Sequence, residues 1–479
     1  MSQATGEPQQ GLQQGDAAPA ELTRSLGLTD CALLVIGSMV GTGIFLTTGS
    51  VAKALPSPWL IQIAWLLGGV LALAGALTYA ELGATFPRAG GHYVYMREAY
   101  GPLCGFLDGW VSFVVTFPCS IAFMAMGLSE YLSRFFPVLG SANVLAQANL
   151  HWTTITLHGG HLPALLAILG LTGLNCLALR VGSTTQNALT ALKMACLVGL
   201  TVLGLASGQG AWARLATAPA EPVGISILPA LAGALIGVSF AYLGWDAATY
   251  MAAEARQPQR TLPRSLAAGT LIVIAIYLMF NLALLYLVPV ARMSGAPNVA
   301  QEAAAVVLGR AGAAVISAVI IVCILGAMNA TIMVGPRIYY AMAKDGLFFR
   351  SLARIHPRFK VPTTAIIVQG IWTCLIVVTS TFASILVYSV FALLLLSTGT
   401  AVALFVLRAK RPEADRPYRA WGYPAVPAVY CLGSVGILAN TLVQQPRQSA
   451  WSLLAVALGV PVYLYWRFKP RPGGRDAAG

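Results

Sequence analysis

Long apolar runs separated by short polar segments dominate this chain. Each run is close to, or longer than, the about 20 residues with which an α-helix crosses a bilayer. The pattern predicts twelve spans, at 31–55, 59–86, 102–136, 161–180, 184–206, 225–252, 265–290, 311–342, 363–381, 384–407, 425–444 and 451–467. The run at 102–136 is long for one crossing, so we expect a tilted helix that bends at Pro118.

Spans 1 and 6 are interrupted near their middles by small and polar residues, at Gly37–Gly43 and Phe240–Asp246. Each glycine weakens a helix by roughly 1 kcal/mol relative to alanine. Two breaks five spans apart predict an all-α membrane protein with a 5+5 inverted repeat and discontinuous helices 1 and 6. We expect one repeat at 30–207, the second at 225–407, added spans at 425–467, and polar tails at 1–29 and 468–479.

Composition supports a membrane protein that crosses the bilayer many times. Only 9% of the 479 residues are charged and 57% are hydrophobic, whereas a soluble domain carries roughly 25% charged residues. The net charge of +13 comes from short loops, not from a basic patch that would bind nucleic acid. Most Lys and Arg fall on the side of both termini, which predicts cytoplasmic termini. Without a sorting signal, we expect the plasma membrane.

Several kinds of chemistry are disfavoured. The eight cysteines lie in or beside apolar runs without a CxxC pair, so we interpret them as packing residues rather than disulfides or zinc ligands. The tail at 1–29 lacks the apolar region of a cleaved signal peptide. The sequence has no Walker A loop, which disfavours direct use of ATP, and no paired span carboxylates, which disfavours an intramembrane aspartyl protease. All five histidines lie in loops or at span ends, which disfavours a membrane acyltransferase; they are His92, His151, His158, His161 and His356. We expect neither an enzyme nor a cofactor or metal.

The two breaks offer complementary groups to a zwitterion. A half-helix that begins near Gly43 presents free N–H groups to a carboxylate, and Thr42 adds a hydroxyl. Unwound carbonyls near Phe240, Ala241 and Leu243 can accept hydrogen bonds from an ammonium group. The alternatives are a small-residue packing face for the glycines and an ordinary core position for Phe240.

Charged residues within spans are expensive. A charge as deep as that of Lys193, in span 5, costs about 2.5–3.5 kcal/mol, so Lys193 either pairs with backbone carbonyls of span 1 or takes part in coupling. Asp246 binds protons, contacts substrate or caps the second half-helix of span 6. Other acidic residues near cytoplasmic span ends are expected to pair with Arg88 and Arg97 or to be solvated; they are Glu81, Glu98 and Asp108.

Five segments, in this order, resemble the amino acid–polyamine–organocation superfamily of secondary transporters, and within it L-type and related bacterial amino acid permeases. They are Gly37–Phe45, Pro87–Gly101, Phe240–Arg264, Asn329–Gly346 and Arg416–Pro424. The resemblance spans about 30–470. It implies alternating access and an amino acid substrate.

The resemblance also implies roles for individual residues. The substrate carboxylate would meet the backbone at Gly41, Thr42 and Gly43, and its ammonium group would meet carbonyls near Met39, Phe240 and Leu243. Ser38 and Ala241 belong to the same breaks, and Ser120 resembles a polar substrate contact in span 3. Phe240 matches a gating aromatic. Lys193 matches a lysine that replaces sodium in sodium-independent members, and Asp246 matches a position that is acidic in several proton-linked or cationic-substrate members.

The resemblance leaves several alternatives open. Residues 138–160 contain no cysteine, so no disulfide-linked heavy chain is expected. The small, apolar lining favours neutral L-amino acids, whereas Asp246 favours cationic amino acids or polyamines. Exchange and proton symport remain equally possible mechanisms. A non-transporting membrane amino acid sensor is the alternative from another class, and a channel is a further one.

Overall fold

The computed structural model describes residues 22–55, 57–140, 143–150, 153–216, 227–296, 299–379 and 382–469. Most of the predicted tails lies outside these ranges. The helices are α1 (Leu28–Met39), α2 (Gly43–Leu46), α3 (Thr48–Ala54), α4 (Pro58–Thr85), α5 (His92–Tyr100), α6 (Pro102–Val111), α7 (Phe117–Leu132), α8 (His161–Leu177), α9 (Leu179–Ala206), α10 (Ile227–Ala241), α11 (Ala247–Tyr250), α12 (Pro258–Leu287), α13 (Val290–Met293), α14 (Val299–Leu308), α15 (Gly312–Val334), α16 (Pro336–Lys344), α17 (Thr363–Thr379), α18 (Phe382–Lys410), α19 (Ala425–Gln444) and α20 (Pro446–Phe468).

Nine helical stretches of the described chain are long and apolar enough to cross a membrane. The shorter apolar helices α8, α10 and α17 lie where the sequence predicts three further spans. Large apolar side chains are exposed along these helices, as expected for surfaces that face lipid. Examples are Leu66, Leu166, Val202, Leu271 and Leu432. The chain is therefore a multi-pass helical membrane protein.

Several predicted span boundaries differ from the structure, and the start of the seventh span is one example. The apolar pattern predicts that the seventh span begins at 265, but α12 begins at Pro258. A helix can extend beyond its apolar run, because water can solvate the polar residues of its first turns. Proline suits a first helical position, where its missing N–H costs nothing. Within the tail predicted at 1–29, the N–H groups of Ser25 and Leu26 donate to the Glu254 carbonyl at 2.9 and 3.0 Å.

The third predicted span is one continuous helical stretch with an irregular middle. A π-helical turn, Ser112–Thr116, lies between α6 and α7. The irregularity therefore falls just before Pro118, the residue at which the sequence predicts a bend. Pro118 has no N–H to donate to the carbonyl of Val114, and that carbonyl instead accepts a hydrogen bond from Trp372 Nε1 at 3.1 Å.

The expectation of an entirely α-helical fold misses one β-hairpin. Strands β1 (Val144–Leu150) and β2 (Thr153–His158) pair antiparallel, with Gln147 opposite Thr156 and an irregularity between Val144 and Ala146. The consecutive β-branched residues of β2 are a strand signal, but apolar runs of span length dominate the pattern. The interhelical segments also contain three helices that the sequence analysis did not predict, α5, α13 and α14.

The two interrupted spans lie at the centre of the helix packing. Helix α1 packs against α9, α12 and α15, while α10 packs against α2, α3 and α4. Helix α12 also runs along α4. This arrangement brings the non-helical segments that follow α1 and α10 next to each other.

Candidate substrate and coupling site

The first span breaks where its glycines are concentrated. Helix α1 ends at Met39 and α2 begins at Gly43. Within the break, the Gly41 N–H donates to the Met39 carbonyl at 3.0 Å. The N–H groups of Thr42 and Gly43 have no backbone acceptor among the described residues. Two donors are therefore available at the middle of a span.

The sixth span breaks directly opposite. Helix α10 ends at Ala241, α11 begins at Ala247, and Gly244 has a φ of +99°. A Cβ on Gly244 would lie 2.8 Å from Ser38 Cβ, and a Cβ on Gly43 would lie 2.4 Å from Ala241 Cα. The backbones cross too closely for side chains at these positions. The glycines therefore allow the two backbones to pack closely and also permit the helix breaks. A packing face and a helix break that offers free N–H groups are thus compatible interpretations of the span 1 glycines.

Tyr277, on α12, connects the two breaks. Its hydroxyl lies within hydrogen-bond distance of two carbonyls, that of Met39 at 2.9 Å and that of Ala241 at 3.1 Å. The side chain is fully buried. The sequence analysis missed this residue, because a lone tyrosine inside an apolar span carries no signal beyond that of a core aromatic.

A cavity of about 120 Å³ lies at the junction of the breaks. Its lining includes most of the substrate residues expected from the sequence: Ser38, Met39, Gly41, Thr42, Gly43, Ser120, Phe240 and Leu243. Asp246 also lines it, whereas Ala241 does not, because it is buried against Gly43. The sequence analysis missed other lining residues, among them Thr116, Phe117, Phe123, Tyr250 and Thr331.

Unpaired hydroxyls and one aromatic pair characterise the lining. Ser38 Oγ and Thr116 Oγ1 are buried without a hydrogen-bond partner in the described part of the chain. Phe240 meets Phe123 edge to face, with ring centroids 5.6 Å apart. The cavity therefore offers apolar surface together with a few polar groups, as small-molecule sites generally do.

Lys193 lies outside this cavity but at the same break. Its side chain is fully buried, and Nζ donates to the carbonyls of Gly37 at 2.5 Å and Val40 at 2.6 Å. These are carbonyls at the end of α1, which a continuing helix would have used for its own N–H groups. This contact is the pairing of Lys193 with backbone carbonyls of span 1 that the sequence analysis gave as one alternative. A role of Lys193 in coupling stays a prediction.

Asp246 does not cap the second half of span 6, so that alternative is wrong. Its side chain makes no hydrogen bond to the N–H groups of α11. Instead Oδ2 lies 2.7 Å from His92 Nε2 and accepts a hydrogen bond from the Tyr250 hydroxyl at 3.0 Å. The assignment of His92 to a loop or span end misses this contact, because His92 is buried at the start of α5 and reaches the centre of the fold.

The expected pairs of the other acidic residues are correct only in part. Glu98 lies within ion-pair distance of Arg88, Arg97 and Arg411. Glu81 instead pairs with Arg408 at 2.6 Å. Asp108 is fully buried, and its only ion-pair contact among the described residues is His92, with Oδ1 3.8 Å from Nδ1. Sequence separation hid the contacts of Glu81 with Arg408 and of Glu98 with Arg411, since they join segments that are distant along the chain.

The charges around Glu98 influence its ionisation. Partial burial opposes the charged form, but hydrogen bonds from Arg411 and Arg97 and the nearby charge of Arg88 outweigh it and lower the pKa of Glu98 below its usual value. Glu98 is therefore an anion at neutral pH and holds three basic side chains together at this end of α5.

The fold and the family comparison below define a class of protein: a membrane transporter, here with a cavity between two discontinuous helices. The profile of the amino acid permease family matches residues 26–466. The chain belongs to this family, and it transports amino acids.

Three relatives show the range of similar proteins. The serine/threonine exchanger SteT of Bacillus subtilis (strain 168) is 30% identical over 92% of this chain and 96% of its own length. The human large neutral amino acids transporter small subunit 2 is 29% identical over 98% of this chain and 85% of its own length. The human b(0,+)-type amino acid transporter 1 is 28% identical over 94% of this chain and 89% of its own length.

Proposed function

We propose that this protein carries neutral L-amino acids across the plasma membrane by alternating access, without sodium. It crosses the membrane with twelve spans, of which 1–5 and 6–10 form inverted repeats, and both termini are cytoplasmic. The central observation is the contact of the Lys193 ammonium with the Gly37 and Val40 carbonyls, next to the cavity.

Lys193 supports sodium independence through the position of its charge. Carbonyls released where a span unwinds are the groups that commonly bind sodium in transporters with broken helices. Here two of them receive N–H bonds from a side chain that carries its own positive charge. A second cation at this point would be repelled, so a fixed ammonium replaces a bound ion.

The orientation of the substrate follows from the free groups at the breaks. Its carboxylate accepts hydrogen bonds from the N–H groups of Thr42 and Gly43. Its ammonium group donates to the Leu243 carbonyl, which receives no backbone hydrogen bond from the described residues. The Met39 carbonyl is less available to the substrate, since it already lies within hydrogen-bond distance of the Gly41 N–H and the Tyr277 hydroxyl. Phe240 covers the substrate and gates the cavity.

The lining favours a neutral side chain. Among the described residues that line the cavity, Asp246 is the one with an acidic side chain. Its Oδ2 is already in contact with His92 and Tyr250. The remaining polar groups are hydroxyls such as those of Thr116, Ser120 and Thr331. Cationic amino acids or polyamines are the second candidate, which the presence of Asp246 at the cavity favours.

Two relatives inform the mode of transport and the subunit composition. One relative's name describes a serine/threonine exchanger, so exchange is a candidate mode of transport beside proton symport. Another relative's name describes a small subunit, which raises the question of a partner chain. Residues 138–160 contain no cysteine, so we propose that this protein works without a disulfide-linked heavy chain.

Uptake into proteoliposomes tests the proposal. The purified protein is reconstituted in sodium-free buffer, and uptake of radiolabelled serine, leucine and arginine is measured with and without unlabelled amino acid inside. We expect uptake of serine or leucine that exceeds arginine uptake at least tenfold and does not change when sodium is added.

Three outcomes would contradict parts of this proposal. A strict sodium requirement would overturn the role of Lys193, and dominant arginine uptake would support the cationic alternative. Binding of amino acids without any flux would indicate a sensor. Vesicles with the heat-denatured protein provide the control for leakage.

A further inference from the structure

We propose that His92, Asp108 and Asp246 form a buried proton-binding site, and that a proton bound there travels with the amino acid. This inference rests on the proposed transport function and makes the transporter a proton symporter. We call these three side chains the proton cluster. Neither His92 nor Asp108 lines the cavity, so substrate binding there does not require them.

The imidazole lies between the two carboxylates. His92 Nε2 is 2.7 Å from Asp246 Oδ2, and His92 Nδ1 is 3.8 Å from Asp108 Oδ1. Neither carboxylate oxygen of Asp108 has a hydrogen-bond partner among the described residues, although both are buried. A buried carboxylate without donors is costly. A proton on Nδ1 would give Asp108 a donor after a movement of about 1 Å.

The surroundings of the proton cluster contribute no compensating cation. The titratable groups that face it are tyrosines: Tyr79 and Tyr250, whose rings pack on His92, and Tyr95 and Tyr430 nearby. No lysine or arginine of the described chain forms an ion pair with Asp108 or Asp246. The nearby arginines instead pair with other carboxylates, Arg337 with Glu254, and Arg408 and Arg416 with Glu81.

Charge balance then requires a proton. With a neutral imidazole, two ionised carboxylates would place two negative charges in a site almost removed from water. One added proton bonds to His92 Nδ1 and turns the ring into an imidazolium, which donates from Nε2 to Asp246 and from Nδ1 to Asp108. The net negative charge falls from two to one, Asp108 gains a donor, and Asp246 keeps the donor at Nε2.

Asp246 couples this site to the substrate. It lines the cavity and belongs to the same break as Leu243 and Gly244. When the cavity holds water, the carboxylate of Asp246 is partly solvated. When the cavity closes around an amino acid, that water leaves and the negative charge becomes more expensive. Closure is therefore favoured after the proton has bound, and opening on the other side lets water take a proton from the imidazolium at Nε2 through Asp246.

The experiment uses proteoliposomes with a pH-sensitive dye inside. In the intact protein, we expect an inward proton gradient to drive labelled serine into vesicles that contain no amino acid, at least fivefold above its equilibrium level. We also expect serine addition to acidify the lumen. In His92→Gln and Asp108→Asn, the number of protons moved per serine should fall at least tenfold. His158→Gln, a histidine at the β-hairpin, serves as the matched control and should keep the ratio.

Failure of this inference differs from failure of the proposed function. If serine flux occurs only by exchange, with no lumen acidification in the intact protein, the proton cluster is not a coupling site, while amino acid transport stands. If either cluster variant moves as many protons per serine as the intact protein, the inference is overturned as well. An absence of serine, leucine and arginine flux in the intact protein would refute the proposed function itself.

Discussion

Gly43 and Ala241 bring the two broken spans into backbone contact: a Cβ on Gly43 would lie 2.4 Å from Ala241 Cα. The neighbouring atom belongs to the main chain, so it cannot move aside like the end of a flexible side chain. The distance between the two breaks, and with it the shape of the cavity, therefore depends on the absence of one methyl group.

Replacement of Gly43 by alanine should separate the breaks. We expect Gly43→Ala to reduce amino acid flux at least tenfold, with protein still present in the membrane, since the cavity loses its shape before the remaining helices lose their packing. Gly173→Ala is the matched control, because a Cβ there meets nothing within 4 Å. Equal flux in the two variants would show that the close approach is unimportant. Flux of labelled serine in proteoliposomes measures the effect.

Removal of the Lys193 ammonium should leave two carbonyls without donors. For Lys193→Met we expect destabilisation of about 1–3 kcal/mol and a loss of flux in sodium-free buffer. Thermal unfolding in detergent and serine uptake measure the two effects, and Lys344→Met, at an exposed position, is the control. Unchanged uptake by Lys193→Met would argue against a fixed ammonium as a substitute for sodium.

The Tyr277 hydroxyl should matter more for transport than for stability. Tyr277→Phe keeps the ring and removes only the group shared by the Met39 and Ala241 carbonyls. We expect a cost of about 0.5–1.5 kcal/mol in stability and a several-fold loss of flux, because the two breaks are no longer tied. Tyr465→Phe, at an exposed position, is the control. A stability loss without any change in flux would assign Tyr277 a purely structural role.

Removal of one partner from the buried pair of Glu254 and Arg337 should be strongly destabilising. Arg337 Nε and Nη2 donate to the two carboxylate oxygens at 2.8 and 3.1 Å, and Nη1 donates to the Met333 carbonyl. Glu254→Ala leaves an unpaired buried guanidinium, so we expect a loss of about 3–5 kcal/mol. Glu413→Ala, an exposed residue, should be neutral. Melting temperatures in detergent test this, and similar values for both variants would contradict it.

The lowered pKa of Glu98 predicts a dependence of stability on acid. Because the pKa in the folded protein lies below the usual 4.5, the stabilisation is present above pH 4.5 and disappears as the pH falls through the lowered value. The difference in melting temperature between the intact protein and Glu98→Gln should therefore be constant above pH 5 and shrink under more acidic conditions. A difference that grows on acidification would have the wrong sign.

The sequence by itself determined the helical, membrane-spanning class and the positions of the two breaks. Apolar length and glycine density are local properties of the sequence. The apolar run at 425–444 and the glycine-rich break of span 1 are therefore visible without knowledge of the helices that pack against them. The same signals identified Lys193 as an unusual residue, since the cost of a charge in a span depends mainly on its depth.

Only the tertiary structure decided which polar groups meet. His92 reaches Asp246 and Asp108 from a segment that looks like an ordinary loop, and Tyr277 reaches both breaks from an apolar span. Most of these contacts join segments that are far apart in the chain, and no residue type or spacing encodes which faces turn toward each other. The partner of a buried polar group is set by the packing of whole helices, and packing is a property of the assembled fold.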